Sequence, residues 1–146
     1  MRRFYVIEKF KNLGVLLPER QTTHSAGYDL ATCENVKINP GEIVLIKTGL
    51  KVELPEEEVL LVFPRSSLGI KKGLTMANNV GVIDSDYYNN PNNEGHIMIP
   101  LRNFSNQEVT LEKGERVAQG IFIKYLKTTN DKNDANERSG GFGSSD

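Results

Sequence analysis

No window of helical length in this chain sustains a 3.6-residue apolar period, and that feature limits its possible folds more than any other. What recurs instead is a set of short runs rich in Val and Ile: FYVI, LGVLL, EIVLIKTGLKVEL, EVLLVF, NNVGVI, HIMIPLRNF, EVTL and RVAQGIFIKYL. Turn-formers stand between them, in NPGE, LPEEE, PRSSLG, NNPNNEG, SNQ and EKGE. Strands of this length, bounded in this way, predict an all-β sandwich or barrel-like domain. One short helix is expected over SSLGIKK, with Ser66 or Ser67 able to cap its start and Gly73 able to end it.

At 146 residues there is material for one domain with a real core, and not for two ordinary ones. From about Lys127 the apolar pattern stops and the chain becomes charged and amide-rich, the composition of a mobile segment. Residues 1–126 are therefore expected to form the β-domain, and 127–146 a flexible C-terminal arm that carries RSGGFGSSD. A formal net charge of −1 gives no general attraction for nucleic acid or acidic membrane, so neither is expected as a partner and any bound anion must be met locally. The single cysteine, Cys33, cannot form an internal disulfide and reads as a small packed residue. No apolar run approaches the roughly 18 residues of a membrane span. In MRRFYVIEKF the apolar stretch is broken by Glu8 and Lys9 before a signal-peptide core forms, so it reads as a first strand. A reduced, cytoplasmic setting is expected.

Several segments carry residues suited to chemistry, and each also has a plain structural reading. In SAGYDL, Asp29 sits where an aspartate commonly serves a turn or edge. PRSSLG places Arg65 and two hydroxyls at the end of an apolar strand; it is either a turn with a helix cap or an anion site, since guanidinium, hydroxyl and helix N-terminal amides all donate to phosphate oxygens. In GVIDSDYYNN, Asp84 follows two apolar residues, and a carboxylate held on a rigid strand end suits a general base as well as a turn. RVAQG sets Arg116 and Gln119 in an otherwise apolar strand. His24 and His96 have no partner at a metal-ligand spacing. The asparagine-rich YNNPNNEG reads as a long turn.

Taken together and in order, AGYDL, PRSSLG, GVIDSDY, RVAQ and RSGGFGSS resemble the five motifs of the trimeric deoxyuridine triphosphatase (dUTPase) family. Each is weak alone, but the order and spacing are matched from about residue 26 to the C-terminus. The resemblance implies a jelly-roll-like β-fold and a homotrimer with shared active sites. It also implies Mg²⁺-dependent cleavage of dUTP to dUMP and pyrophosphate, which keeps uracil out of DNA and supplies dUMP for dTMP synthesis.

The family pattern assigns roles residue by residue. Arg65, Ser66, Ser67 and Gln119 would hold the phosphates, and Asp29 would hold hydrated magnesium through water, because Mg²⁺ keeps most of its hydration shell. Asp84 would orient and deprotonate the water that attacks the α-phosphorus. An ionised aspartate is a weak base near neutral pH, so most of the acceleration must come from positioning and charge stabilisation. Residues 81–95 are expected to form a β-hairpin in which the backbone at Gly81, Val82 and Ile83, with Asn78, reads uracil and leaves groups unpaired against cytosine. Tyr87, flat against the sugar, would exclude a ribose 2′-hydroxyl. In the arm, Phe142 would cover the base, while Arg138, Gly141, Gly143, Ser144 and Ser145 reach the β- and γ-phosphates, the glycines letting backbone amides approach closely. That arm would act as a lid and cross to a neighbouring subunit's site.

The sequence departs from the family mainly after Tyr87, where YNNPNNEG lengthens the turn. Loop 88–95 is either a surface elaboration or a contact for another subunit or a partner protein. Two rival functions remain: dCTP deaminase, of the same fold, and a nucleotide-sensing interaction protein.

Overall fold

The structure is a computed structural model that describes residues 1–132 and 140–143. The expected strands form: β1 (Arg3–Val6), β2 (Tyr28–Ala31), β3 (Val36–Ile38), β4 (Ile43–Lys47), β5 (Leu50–Glu53) and β6 (Glu58–Pro64) come first. The helix α1 (Ser66–Lys72) follows, then β7 (Leu74–Met76), β8 (Gly81–Ile83), β9 (Met98–Asn103), β10 (Val109–Leu111) and β11 (Arg116–Lys124). Every strand pairing among the described residues is antiparallel. A four-stranded sheet runs β2-β11-β6-β8, a three-stranded one β4-β9-β7, and two ribbons pair β1 with β5 and β3 with β10. The fold is all-β and jelly-roll-like, as expected, and open: no sheet of the described residues closes into a barrel.

One buried cluster is drawn from both larger sheets and the ribbons, with Leu30, Ile38, Ile46, Leu60, Leu101, Leu111 and Val117 fully enclosed. This common core makes the short strands worthwhile, since each such side chain contributes about 1.5–3 kcal/mol when taken from water. Cys33 is buried in a small satellite with Ile7 and Phe10, and that burial pushes its thiol pKa up.

The helix occupies the expected residues and ends at Gly73, whose φ of 66° lies in the left-handed region. Its start differs from expectation. Arg65 is the N-cap residue, with extended backbone, and no side-chain hydrogen bond caps the helix, so neither Ser66 nor Ser67 has that role. The serines fall inside the first turn because β6 runs one residue further, to Pro64.

Segment 81–95 is not a β-hairpin. β8 pairs with β6, whereas β9 pairs with β4 and β7 in the other large sheet. The physical reason is burial: Ile99 and Leu101 are enclosed in the core between β4 and β7, which leaves β9 no edge for β8. The chain crosses between the sheets through a 3₁₀ turn, Ser85–Tyr87, and the turns of the asparagine-rich loop. After β11, residues 125–132 form no strand or helix. Among the described residues no helix is long and apolar enough to cross a membrane.

Candidate active site

β8 is the outer strand of its sheet, so one of its edges has no strand partner among the described residues. A cavity of about 310 Å³ opens at this strand. Its walls are Val62 of β6, Met76 of β7, residues 81–83 of β8, Ile97 and Met98 entering β9, and Asn78, Val80 and Tyr87 from the connections. It is a slot of mixed polar and apolar lining beside the open edge of β8, suited to a small organic ligand. Gly141, Phe142 and Gly143 complete the lining. A Cβ on Gly141 would stand 2.8 Å from Tyr87 Cε1, so only glycine lets the arm pass this close to the ring. Phe142, 61% exposed, lies at the cavity with a φ of 50°. Within the single chain, Gly141, Phe142 and Gly143 thus rest on this pocket. Arg138, Ser144 and Ser145 lie outside the described residues.

Tyr87 is held by its surroundings. Its hydroxyl donates to the His96 carbonyl at 2.6 Å and accepts from Asn93 Nδ2 at 2.9 Å. Its own carbonyl accepts from Asn90 Nδ2 at 2.8 Å, and its N–H donates to the Asp84 carbonyl at 3.1 Å. Asn90 is itself buried, and its Oδ1 accepts from the backbone of Asn92 and Asn93 at 3.0 and 3.1 Å. Behind the loop, His96 Nε2 accepts from the Gly49 N–H at 2.9 Å. Burial, with Lys9 and Lys47 nearby, lowers the His96 pKa to about 4, so the ring is neutral. Lys51 anchors the outside of the loop through Glu94, at 2.7 Å.

A second cavity, of about 320 Å³, lies on the same sheet and is lined by Gln21, Ser25, Ala26, Gly27, Asp29, Arg65, Ser66 and Gln119. Three neighbouring strands bring its functional groups together. Asp29 on β2 stands opposite Gln119 on β11, and Gln119 opposite Phe63 on β6, two residues before Arg65. Asp29 Oδ1 is 3.5 Å from Arg65 Nε and its Oδ2 is 3.4 Å from Arg116 Nη1. The carboxylate aligns two guanidiniums and leaves the trio with one net positive charge, a fit for phosphate. Gln119 Nε2 reaches the Pro64 carbonyl only at 3.5 Å, and a Cβ on Gly27 would fall 2.4 Å from Gln119 Oε1.

The chain is matched over residues 15–146 by the dUTPase family model. It is 54% identical, over 99% of its length and 97% of the relative's, to the deoxyuridine 5′-triphosphate nucleotidohydrolase of Lactococcus lactis. It is 40% identical to that of Rickettsia felis, over 94% of this chain and 93% of the relative. The crystal structure of dUTPase from Streptococcus mutans superimposes with a TM-score of 0.83 at 50% identity, covering 87% of this chain and 98% of that one. This chain belongs to the dUTPase family.

Within this dUTPase the residues expected to serve the substrate divide into two groups. Asn78, residues 81–83, Tyr87 and the arm residues 141–143 surround the first cavity, and Asp29, Arg65, Ser66 and Gln119 the second. Ser67, half-buried in α1, lines neither. Asp84 is half-buried between Ile83 and the 3₁₀ turn that carries Tyr87, and lines neither cavity itself although Ile83 and Tyr87 both line the first. Sequence reasoning missed Arg116 as a partner of Asp29, and missed Ser25 to Gly27. The signal for the latter was Arg20, whose Nη1 donates to the carbonyls of Thr23 and Ser25 at 2.7 and 3.1 Å and folds that loop toward the cavity. It missed Asn90 and Asn93 as well, because their partner lies in the same loop.

Proposed function

We infer that this chain is a dUTP diphosphatase, hydrolysing dUTP to dUMP and pyrophosphate. The observation that carries this is identity of 54% along the whole chain with an enzyme named for that reaction. The geometry supplies a physical route. Uracil enters the first cavity and pairs with the open edge of β8, Tyr87 stands beside the sugar, and Phe142 covers the base. Arg65, Ser66 and Gln119 hold the phosphates, with Arg138 and Ser144 of the arm contributing from outside the described residues. Asp84 orients the attacking water and takes its proton; the in-line position does most of the work. The arm, 127–146, closes on the β-domain, 1–126, as a lid that excludes water.

Magnesium is part of this reading. Among the described residues no three acidic, cysteine or histidine side chains gather, and both Asp29 oxygens already face guanidiniums. Asp29 would hold a hydrated ion through water, which fits that donor set, whereas a dehydrated ion needing a protein cage does not. When bound it offsets the triphosphate charge. A homotrimer with shared sites also fits: the two cavities have no lining residue in common, yet one nucleotide needs both. The enzyme is cytoplasmic in this reading. The test is to offer each deoxynucleotide with Mg²⁺ and measure pyrophosphate and ammonia. Pyrophosphate from dUTP alone is expected; ammonia from dCTP indicates a deaminase, and neither product a sensor.

A further inference from the structure

Loop 88–95 turns two of its polar side chains, Asn90 and Asn93, inward, and Asn93 holds the tip of a ring that walls the substrate cavity. The Tyr87 hydroxyl has a single proton, which goes to the His96 carbonyl at 2.6 Å. It can therefore meet Asn93, 2.9 Å away, only by accepting from an N–H. Asn93 Oδ1 faces the other way and accepts from Asn90 Nδ2 at 2.8 Å and the Gly95 N–H at 3.1 Å. One amide thus joins the loop backbone to the phenol, and it works because it donates on one side and accepts on the other. Without that donor the ring keeps its bond to the His96 carbonyl but loses the second anchor that fixes the angle of its outer end.

We propose that Asn93 is a positioning residue for sugar discrimination: it sets how far the Tyr87 ring reaches into the cavity, and so closes the space that a ribose 2′-hydroxyl needs. This rests on the reading of Tyr87 as the sugar wall. A shift of the ring by a fraction of an ångström is enough, because refusing a hydroxyl depends on contact with no slack. It also gives the lengthened loop a purpose within the site, where the sequence suggested surface elaboration or partner contact.

Asn93→Asp isolates the interaction. The variant keeps the acceptor that serves Asn90 and Gly95 but replaces the donor with a carboxylate oxygen that competes with the His96 carbonyl for the one phenolic proton, so the ring tip is held from a different side. The ratio of kcat/KM for UTP to that for dUTP is expected to rise about tenfold, a size within reach of one lost contact. In the Tyr87→Phe background, where no hydroxyl remains to hold, adding Asn93→Asp is expected to change the ratio no further. A merely structural lesion lowers both substrates together and leaves the ratio where it was.

An unchanged ratio in Asn93→Asp, alongside a relaxed one in Tyr87→Ala, overturns the role of Asn93 while the Tyr87 reading stands. An unchanged ratio in Tyr87→Ala overturns the Tyr87 reading itself. An equal effect of Asn93→Asp with and without the hydroxyl shows action through the loop alone and also overturns the proposal. Tyr87→Phe removes the hydroxyl without touching the loop amides, so it serves where Asn93→Asp does not fold. An unchanged ratio there defeats the proposal, because the hydroxyl that Asn93 holds would then set nothing.

Discussion

Asp29 shows what a single residue can be asked to do. Its carboxylate lies between Arg65 and Arg116, so its first task is to aim two cations. Its second, in the proposed function, would be to steady a hydrated magnesium ion through water. Asn in its place keeps the shape and removes the charge that does both. Asp29→Asn is expected to raise the Mg²⁺ concentration for half-maximal rate by about tenfold, the usual cost of losing an outer-shell partner; rates measured against Mg²⁺ at saturating dUTP check this. His96 makes a different prediction. Its folded pKa of about 4 lies below the ordinary 6.5, so the unfolded chain takes up a proton that the folded one refuses. The stability from keeping this ring neutral is complete above pH 6.5 and is lost as the pH falls toward 4. Glu58, lowered by its hydrogen bond from Arg2, and Glu94, lowered by Lys51, lose their contributions only below about 4.5, where carboxylates protonate. Urea midpoints at pH 7 and pH 5 are therefore expected to differ in the parent, and much less in His96→Gln, which keeps an acceptor for Gly49.

At the scale of elements, the crossing from β8 to β9 depends on a glycine. Gly95 has a φ of 85°, and a Cβ there would lie 2.7 Å from the Tyr87 carbonyl oxygen. Gly95→Ala is expected to cost about 1–3 kcal/mol in urea unfolding, because it meets both a forbidden φ and a backbone contact. The same crossing marks where the sequence ceased to be legible. Strand β6, helix α1 and its stop at Gly73 could be read because their signals are local: an apolar run, then hydroxyls, then glycine. The hairpin could not, because whether β8 pairs with β9 depends on which sheet buries Ile99 and Leu101, a long-range fact with no local mark. In the site, Asp29, Arg65, Ser66 and Gln119 were legible as short motifs. The contact of Arg116 with Asp29 was not, since it follows from a register that sets Gln119 opposite Asp29, with a shift between Arg116 and Ala118. The inward turn of Asn90 and Asn93 stayed hidden because an amide-rich stretch has the same composition whether it faces water or a tyrosine.

For the whole molecule the question is whether one chain can act alone. The two cavities, assigned to base and phosphate in the proposed function, share no lining residue, so a site completed between copies predicts that two different inactive chains can repair each other. In the proposed function, Arg65→Ala would remove a phosphate donor, and Asp84→Asn would remove the base that activates water while leaving substrate binding in place. Each homotrimer should be nearly inactive. In mixed trimers refolded from equal parts, a site is whole only where the chain giving its base pocket retains Asp84 and the chain giving its phosphate groups retains Arg65. Random assembly provides that pairing in about a quarter of sites, so turnover is expected to return to about a quarter of the parent value. If each chain carried a complete site, every site in the mixture would lack one group or the other, and refolding together would restore nothing. Sedimentation of the same mixture links the activity to a trimer, because exchange without assembly gives no route to repair.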